Sequence, residues 1–157
     1  MNIFNSVKER FLKGSDSGEY SFKQSDTFRG YKRIHLSTYK YEPIQKGLKA
    51  VRKKNPDYHL GSDKPKYIYD FANKTITIKK SAYAEDGACM LIMVDNNHVG
   101  TIFDNNNNEQ IINDFETGKI EAVYLKIDQG QEYNGKKDKV EYSDDSVEAF
   151  LFVKRKA

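Results

Sequence analysis

The stretch Cys89-Met90-Leu91-Ile92-Met93-Val94-Asp95-Asn96-Asn97-His98-Val99-Gly100-Thr101-Ile102 decides the fold. Its first apolar run is too short for a helix and is cut off by three polar residues. A second short run follows at once. Asparagine tolerates positive φ, so Asp95-Asn96-Asn97 predicts a tight hairpin turn between a strand over Cys89–Val94 and a return strand over 98–103.

Working outward, Ile76 and Ile78 alternate on a strand over 75–79, preceded by a turn at Asn73-Lys74. Tyr67, Tyr69 and Phe71 alternate just before it and predict another strand. Downstream, Ile111, Ile112 and Phe115 recur at helical spacing over 107–117, and Gly118 ends the run. Val123, Leu125 and Ile127 mark a strand over 120–127. Residues 128–145 are polar, with Gly130 and Gly135, and read as a long hairpin tip or flexible loop. The last strand covers 146–154, with Val147, Ala149, Leu151 and Val153 inward, and a basic tail follows.

Toward the N-terminus, Asn2 caps an amphipathic helix over 2–13 whose stripe is Ile3, Val7 and Phe11, with Gly14 stopping it. Residues 15–26, rich in Ser, Asp and Gly, read as a linker that Phe22 and Phe28 pin to the domain at points. A strand over 32–41 puts Ile34 and Leu36 on one face. A helix then runs from Pro43 to about Asn55, with Ile44, Leu48 and Val51 inward and a ridge of Lys46, Lys49 and Lys53 outward. Residues 57–66 form a loop.

Short strands interrupted by two modest helices do not fit regular βαβ alternation. They predict an α+β fold, a small curled antiparallel sheet or barrel (OB- or SH3-like) with two or three short helices. Residues 1–26 are expected as helix and linker, and residues 27–157 as one domain.

Bulk composition agrees. The 157 residues are 13% aromatic, with eleven Tyr, nine Phe and no Trp, which is more than a chain without a core carries. The single cysteine, Cys89, cannot form an intramolecular disulfide and sits in an apolar run, where it reads as a buried, inert thiol. No apolar stretch approaches the roughly 20 residues that cross a bilayer, and residues 1–13 lack a signal-peptide core. A cytoplasmic protein without a membrane partner is expected.

The net charge of +3 hides an asymmetry: residues 29–54 hold nine Lys and Arg against Glu42 alone. Such a block suggests an anionic partner, and equally a solvated face opposite acidic loops.

Catalytic chemistry finds no support. His35, His59 and His98 are too dispersed for a local metal pair, and no second cysteine assists them. There is no phosphate-binding glycine loop, and the acid pairs Glu85-Asp86 and Asp144-Asp145 are adjacent, as turn residues are. No enzyme, metal or cofactor is expected. Nucleic-acid binding needs cations for phosphates and flat faces for bases. Both are present in the basic block, Lys79-Lys80 and the polar-flanked Tyr39, Tyr41 and Tyr83.

With these residues in place, 75–127 resembles the core of a HIRAN domain, a small β-barrel module. Tyr83-Ala84-Glu85-Asp86-Gly87-Ala88-Cys89-Met90 occupies the family's loop and strand start, and Asn97-His98-Val99-Gly100-Thr101-Ile102 its glycine strand. Residues 109–127 match its helix and last strand, and 33–41 its first strand. The resemblance implies a contact to single-stranded or end-exposed DNA. Asp86 would hold a terminal hydroxyl, Tyr39 and Tyr83 would stack bases, and Arg33, Lys40, Lys79 and Lys80 would meet phosphates. Thr101 stands where the family often has His or Tyr. The alternative is a protein-interaction or accessory domain without nucleic-acid binding, using residues 67–71 or the N-terminal helix as its contact surface.

Overall fold

A computed structural model of the chain describes residues 18–38, 42–59, 65–81, 89–103 and 108–157. The elements in chain order are β1 (Glu19–Lys23), β2 (Lys32–Leu36), α1 (Glu42–Val51), β3 (Lys53–His59), β4 (Pro65–Ile68) and β5 (Thr75–Ser81). They continue with β6 (Cys89–Val94), β7 (Asn97–Phe103), α2 (Glu109–Glu116), β8 (Ile120–Asn134) and β9 (Lys139–Arg155). All ladders are antiparallel, in sheets ordered β1-β5-β6-β7, β2-β9-β8 and β3-β4. The α+β class follows directly. No closed barrel forms among the described residues, because no continuous ladder joins the sheets. Single bridges, Ser37 with Thr101 and Gln24 with Val123, link edges of the two larger ones.

The β6–β7 hairpin forms as its sequence dictates. Asp95 and Asn96 both take positive φ, 50° and 66°, which suits a two-residue turn whose twist matches the strands. Ile76 and Ile78 of β5 face Val94 and Ile92 of β6, and all four are fully buried or nearly so. The second sheet turns Ile34, Leu36, Val123, Leu125, Leu151 and Val153 onto the same core.

Several expectations change. The linker read over 15–26 is, from Glu19, the edge strand β1, in register with β5 through Tyr20 opposite Ile78 and Phe22 opposite Ile76. Both rings pack on Phe115 of α2, at 6.2 and 5.9 Å between centroids, which holds the segment in the domain. The helix expected to reach Asn55 ends at Val51. Pro56 disfavours α conformation just before it, and Lys53 and Lys54 instead pair with Ile68 and Tyr67. The loop read over 57–66 begins as the end of β3. The polar segment 128–145 is mostly strand: β8 and β9 continue to Asn134 and from Lys139, past a bulge at Gln129/Gln131. The expected helix over 2–13 lies outside the described residues.

Two contacts fix the helices. Gly47 of α1 lies against the β7 backbone, so close that a Cβ there would stand 2.1 Å from the His98 carbonyl oxygen. Asp114 of α2, with a side chain 2% exposed, accepts hydrogen bonds from Gln110 Nε2 at 2.9 Å and from Arg155 Nε at 2.5 Å. Burial pushes its carboxyl up, but those bonds and the charges of Arg155 and Lys119 outweigh it, holding the group below the usual range.

Candidate nucleic-acid interface

The expected site residues separate in space. Tyr39, Lys40, Tyr83 and Asp86 lie outside the described residues. Lys79 and Lys80 are on β5, in the four-stranded sheet, and both face carboxylates. Lys79 Nζ is 4.0 Å from Glu19, and Lys80 is ion-paired with Glu116. Arg33 is on β2, in the other large sheet. Thr101 is 4% exposed, within the β7 edge that bridges to Ser37. Its hydroxyl is 3.0 Å from His98 Nε2, which also lies 2.9 Å from the Gly100 carbonyl. The carbonyl can only accept, so Nε2 carries the proton and Thr101 is part of the fold's support rather than of a surface.

Burial lowers the His98 pKa below its ordinary 6.5, against the opposing pull of the Gly100 carbonyl. The folded state therefore favours the neutral ring, and the unfolded chain takes up its proton first as pH falls. Stability from this residue is complete above about 6.5 and declines as pH drops through the lower folded pKa. Thermal melts between pH 7.5 and pH 5 are expected to show Tm falling (roughly pH 6.5 downward), with a flatter profile in His98→Gln. Identical slopes for both proteins would exclude this contribution.

What the structure brings together is a different surface. In β9, Ala149, Leu151 and Val153 face the core, so Phe150 and Phe152 lie on the other face of the sheet by the strand's two-residue period, Phe150 half-buried and Phe152 buried at 9% exposure. Arg33 and His35 alternate with buried Ile34 and Leu36 on β2, and Tyr124 and Lys126 alternate with Val123, Leu125 and Ile127 on β8. Register then sets His35 and Lys126 beside Phe150, and Arg33 and Tyr124 beside Phe152. The His35 ring stacks on Phe150 at 5.0 Å with 28° between planes, and the Arg33 guanidinium lies 4.9 Å from the Phe150 centroid.

A turn completes this face. Tyr31 N–H donates to the Phe28 carbonyl at 3.0 Å, and Gly30 takes φ +80°, a conformation that L side chains resist. Phe28 folds back onto Phe152 and Tyr124, 4.5 and 4.9 Å away between centroids. Lys126 Nζ stands 5.5 Å from the Phe28 ring and 3.7 Å from Asp128.

No family model matches the chain, and no curated protein or solved structure is significantly similar to it. The site therefore stands on its own geometry.

Its charge is uneven. Arg29 at the turn and Arg33 on this face are exposed, as is Lys32 at the start of β2, which the strand period places on the Ile34 side, and none of the three has a carboxylate within ion-pair distance among the described residues. At the other end of the same face Asp128 and Glu148 are register partners, both exposed. Rings thus lie between a basic end and an acidic end. Among the described residues no group of three His, Cys, Asp or Glu side chains could hold a metal ion. Cys89 is buried, and burial raises its thiol pKa despite a hydrogen bond with Ser81. No described helix is long and apolar enough to cross a membrane.

Sequence reasoning reached Arg33 but missed Phe28, His35, Tyr124, Phe150 and Phe152. The cue was present: assigning Ala149, Leu151 and Val153 to the core assigns the two phenylalanines between them to the other face.

Proposed function

We propose that this protein is a non-enzymatic, HIRAN-like binding module for single-stranded or end-exposed nucleic acid. The observation that carries the reading is the aromatic face of the β2-β9-β8 sheet, bordered by Arg29 and Arg33 with Lys32 at the start of β2, none of them ion-paired among the described residues. Rings offer stacking to bases of any sequence, and exposed cations offer counterion release on meeting phosphates. A duplex hides its base faces, so this surface favours unpaired strands. We read the two bridged sheets as a curled barrel of the kind the resemblance implies. Reading of a strand end by Asp86, with Tyr83 beside it, belongs to the same proposal as a second contact. The basic border favours an anionic strand over a protein-interaction role.

Stacking contributes about 1–3 kcal/mol per base. Phe150→Ala is therefore expected to weaken binding of a short single strand about tenfold or more, with Tm little changed. Tyr133→Ala, on the distal hairpin, serves as the control. The measurement is fluorescence anisotropy with single-stranded and duplex probes at two ionic strengths. A tighter duplex, or equal affinities for Phe150→Ala and wild type, would falsify the reading.

A further inference from the structure

Beside this face, the outer edge of β8 floors a groove of about 390 Å³ lined by Tyr69, Asp70, Ala72, Tyr124, Ile127 and Asp128. Antiparallel pairing turns the backbone groups of alternate residues toward the partner strand and those between them away. Leu125 belongs to the second set: its N–H donates to Gln24 Oε1 at 2.8 Å and its carbonyl accepts from Gln24 Nε2 at 2.9 Å. The Val123 carbonyl likewise accepts the Ser25 N–H, at 3.0 Å. Ile127 is two residues further along, before the bulge, so its N–H and carbonyl point the same way. Among the described residues no group bonds them. Beyond it, Gln129 Oε1 accepts the Tyr67 N–H at 2.7 Å, and β4 closes that side.

One open donor–acceptor pair between two occupied positions is too short for an added β-strand, which pairs along a run of them. It suits a single flat heterocycle that presents a donor next to an acceptor, as the Watson–Crick edge of an unpaired base does. Resting on the function proposed above, we infer that this groove receives one base of the bound strand, its edge read by the Ile127 N–H and carbonyl, while neighbouring bases stack on the aromatic face. Asp26, Asp70 and Asp128 border the groove together with a single cation, Lys126, which pairs with Asp128 at 3.7 Å and leaves the lining net negative. That charge keeps phosphates out, and the carboxylate oxygens accept from exocyclic amino groups, so adenine, cytosine or guanine is favoured over thymine or uracil.

The test compares anisotropy titrations of octamers of deoxycytidine, deoxyadenosine and deoxythymidine. Wild type is expected to bind an amino-bearing octamer at least about fivefold tighter than the thymidine octamer. Filling the groove with Ala72→Phe brings the affinities within about twofold, and Asp128→Asn narrows the gap in a protein of unchanged groove size. Phe150→Ala weakens every octamer alike. Equal wild-type affinities, or a full preference surviving in Ala72→Phe, overturn the groove while the aromatic face stands if Phe150→Ala still binds weakly. No binding of any octamer at low salt overturns both.

Discussion

Replacing Gly47 with alanine is expected to destabilise the protein by about 2–3 kcal/mol, lowering Tm by roughly 5–10 °C at the 2–4 °C per kcal/mol typical of chains this long. The added Cβ would stand 2.1 Å from the His98 carbonyl oxygen, 2.9 Å from its carbon and 3.0 Å from its nitrogen, all backbone atoms. A flexible side chain could swing aside, but a strand held in the β6–β7 ladder cannot. Helix α1 must therefore lift, withdrawing Ile44 and Leu48 from the core. Alanine's better helix propensity offsets about 1 kcal/mol of that cost, which the net figure includes. Lys46→Ala on the solvent side of the same helix removes only a 3.7 Å pair with Glu42, both groups well exposed, and is expected to change stability by no more than about 0.5 kcal/mol. Thermal or urea melts of the two variants decide the matter: if Gly47→Ala unfolds with Lys46→Ala, the close approach of α1 to β7 is wrong.

Gly47 also marks where sequence reading stops. The helix itself was legible, because Ile44 and Leu48 recur at its spacing and Pro43 fits its first turn. A mid-helix glycine gives no hint of the strand it touches. The β6–β7 hairpin was legible for a local reason, since Asp95-Asn96 supplies both a turn and a break in the apolar run. Strand β1 was not. Glu19–Lys23 places only Tyr20 and Phe22 among polar neighbours, and its ladder partner β5 is more than fifty residues away. The outer halves of β8 and β9 failed for a related reason. From Gln131 to Asn134 the strand pairs only with β9 and covers no core, so no hydrophobic alternation betrays it. The aromatic face was half legible. Strand period puts Phe150 and Phe152 opposite the core residues, and Arg33 and His35 opposite Ile34 and Leu36. That Phe28 folds over Phe152 depends on the Gly30 turn and on which strands become neighbours, and only the tertiary structure supplies the latter.

The second large effect is expected from Arg29→Gln, Lys32→Gln and Arg33→Gln combined, which should reduce single-strand affinity on the order of 100-fold at low salt. Three cations meeting three phosphates give a slope of log affinity against log salt near −2, at about −0.7 for each contact on single strands. Wild-type affinity then falls roughly 20-fold from 50 to 200 mM salt, whereas the triple variant should show almost no salt dependence. The contrast with Lys79→Gln and Lys80→Gln locates the interface. Those two lysines face Glu19 and Glu116, so removing them also leaves two carboxylates uncompensated, and a strand bound across the β2-β9-β8 face is indifferent to both changes. Surface charges of this kind carry little fold stability, so the triple variant should melt close to wild type and its binding loss can be read as an interface effect. The opposite pattern, with the β5 pair abolishing binding and the triple variant retaining the full slope, would move the contact to β5, the strand that precedes Tyr83 and Asp86 in the sequence. Arg33 would then be the member that parts the two sites, since it lies over Phe150 and away from β5.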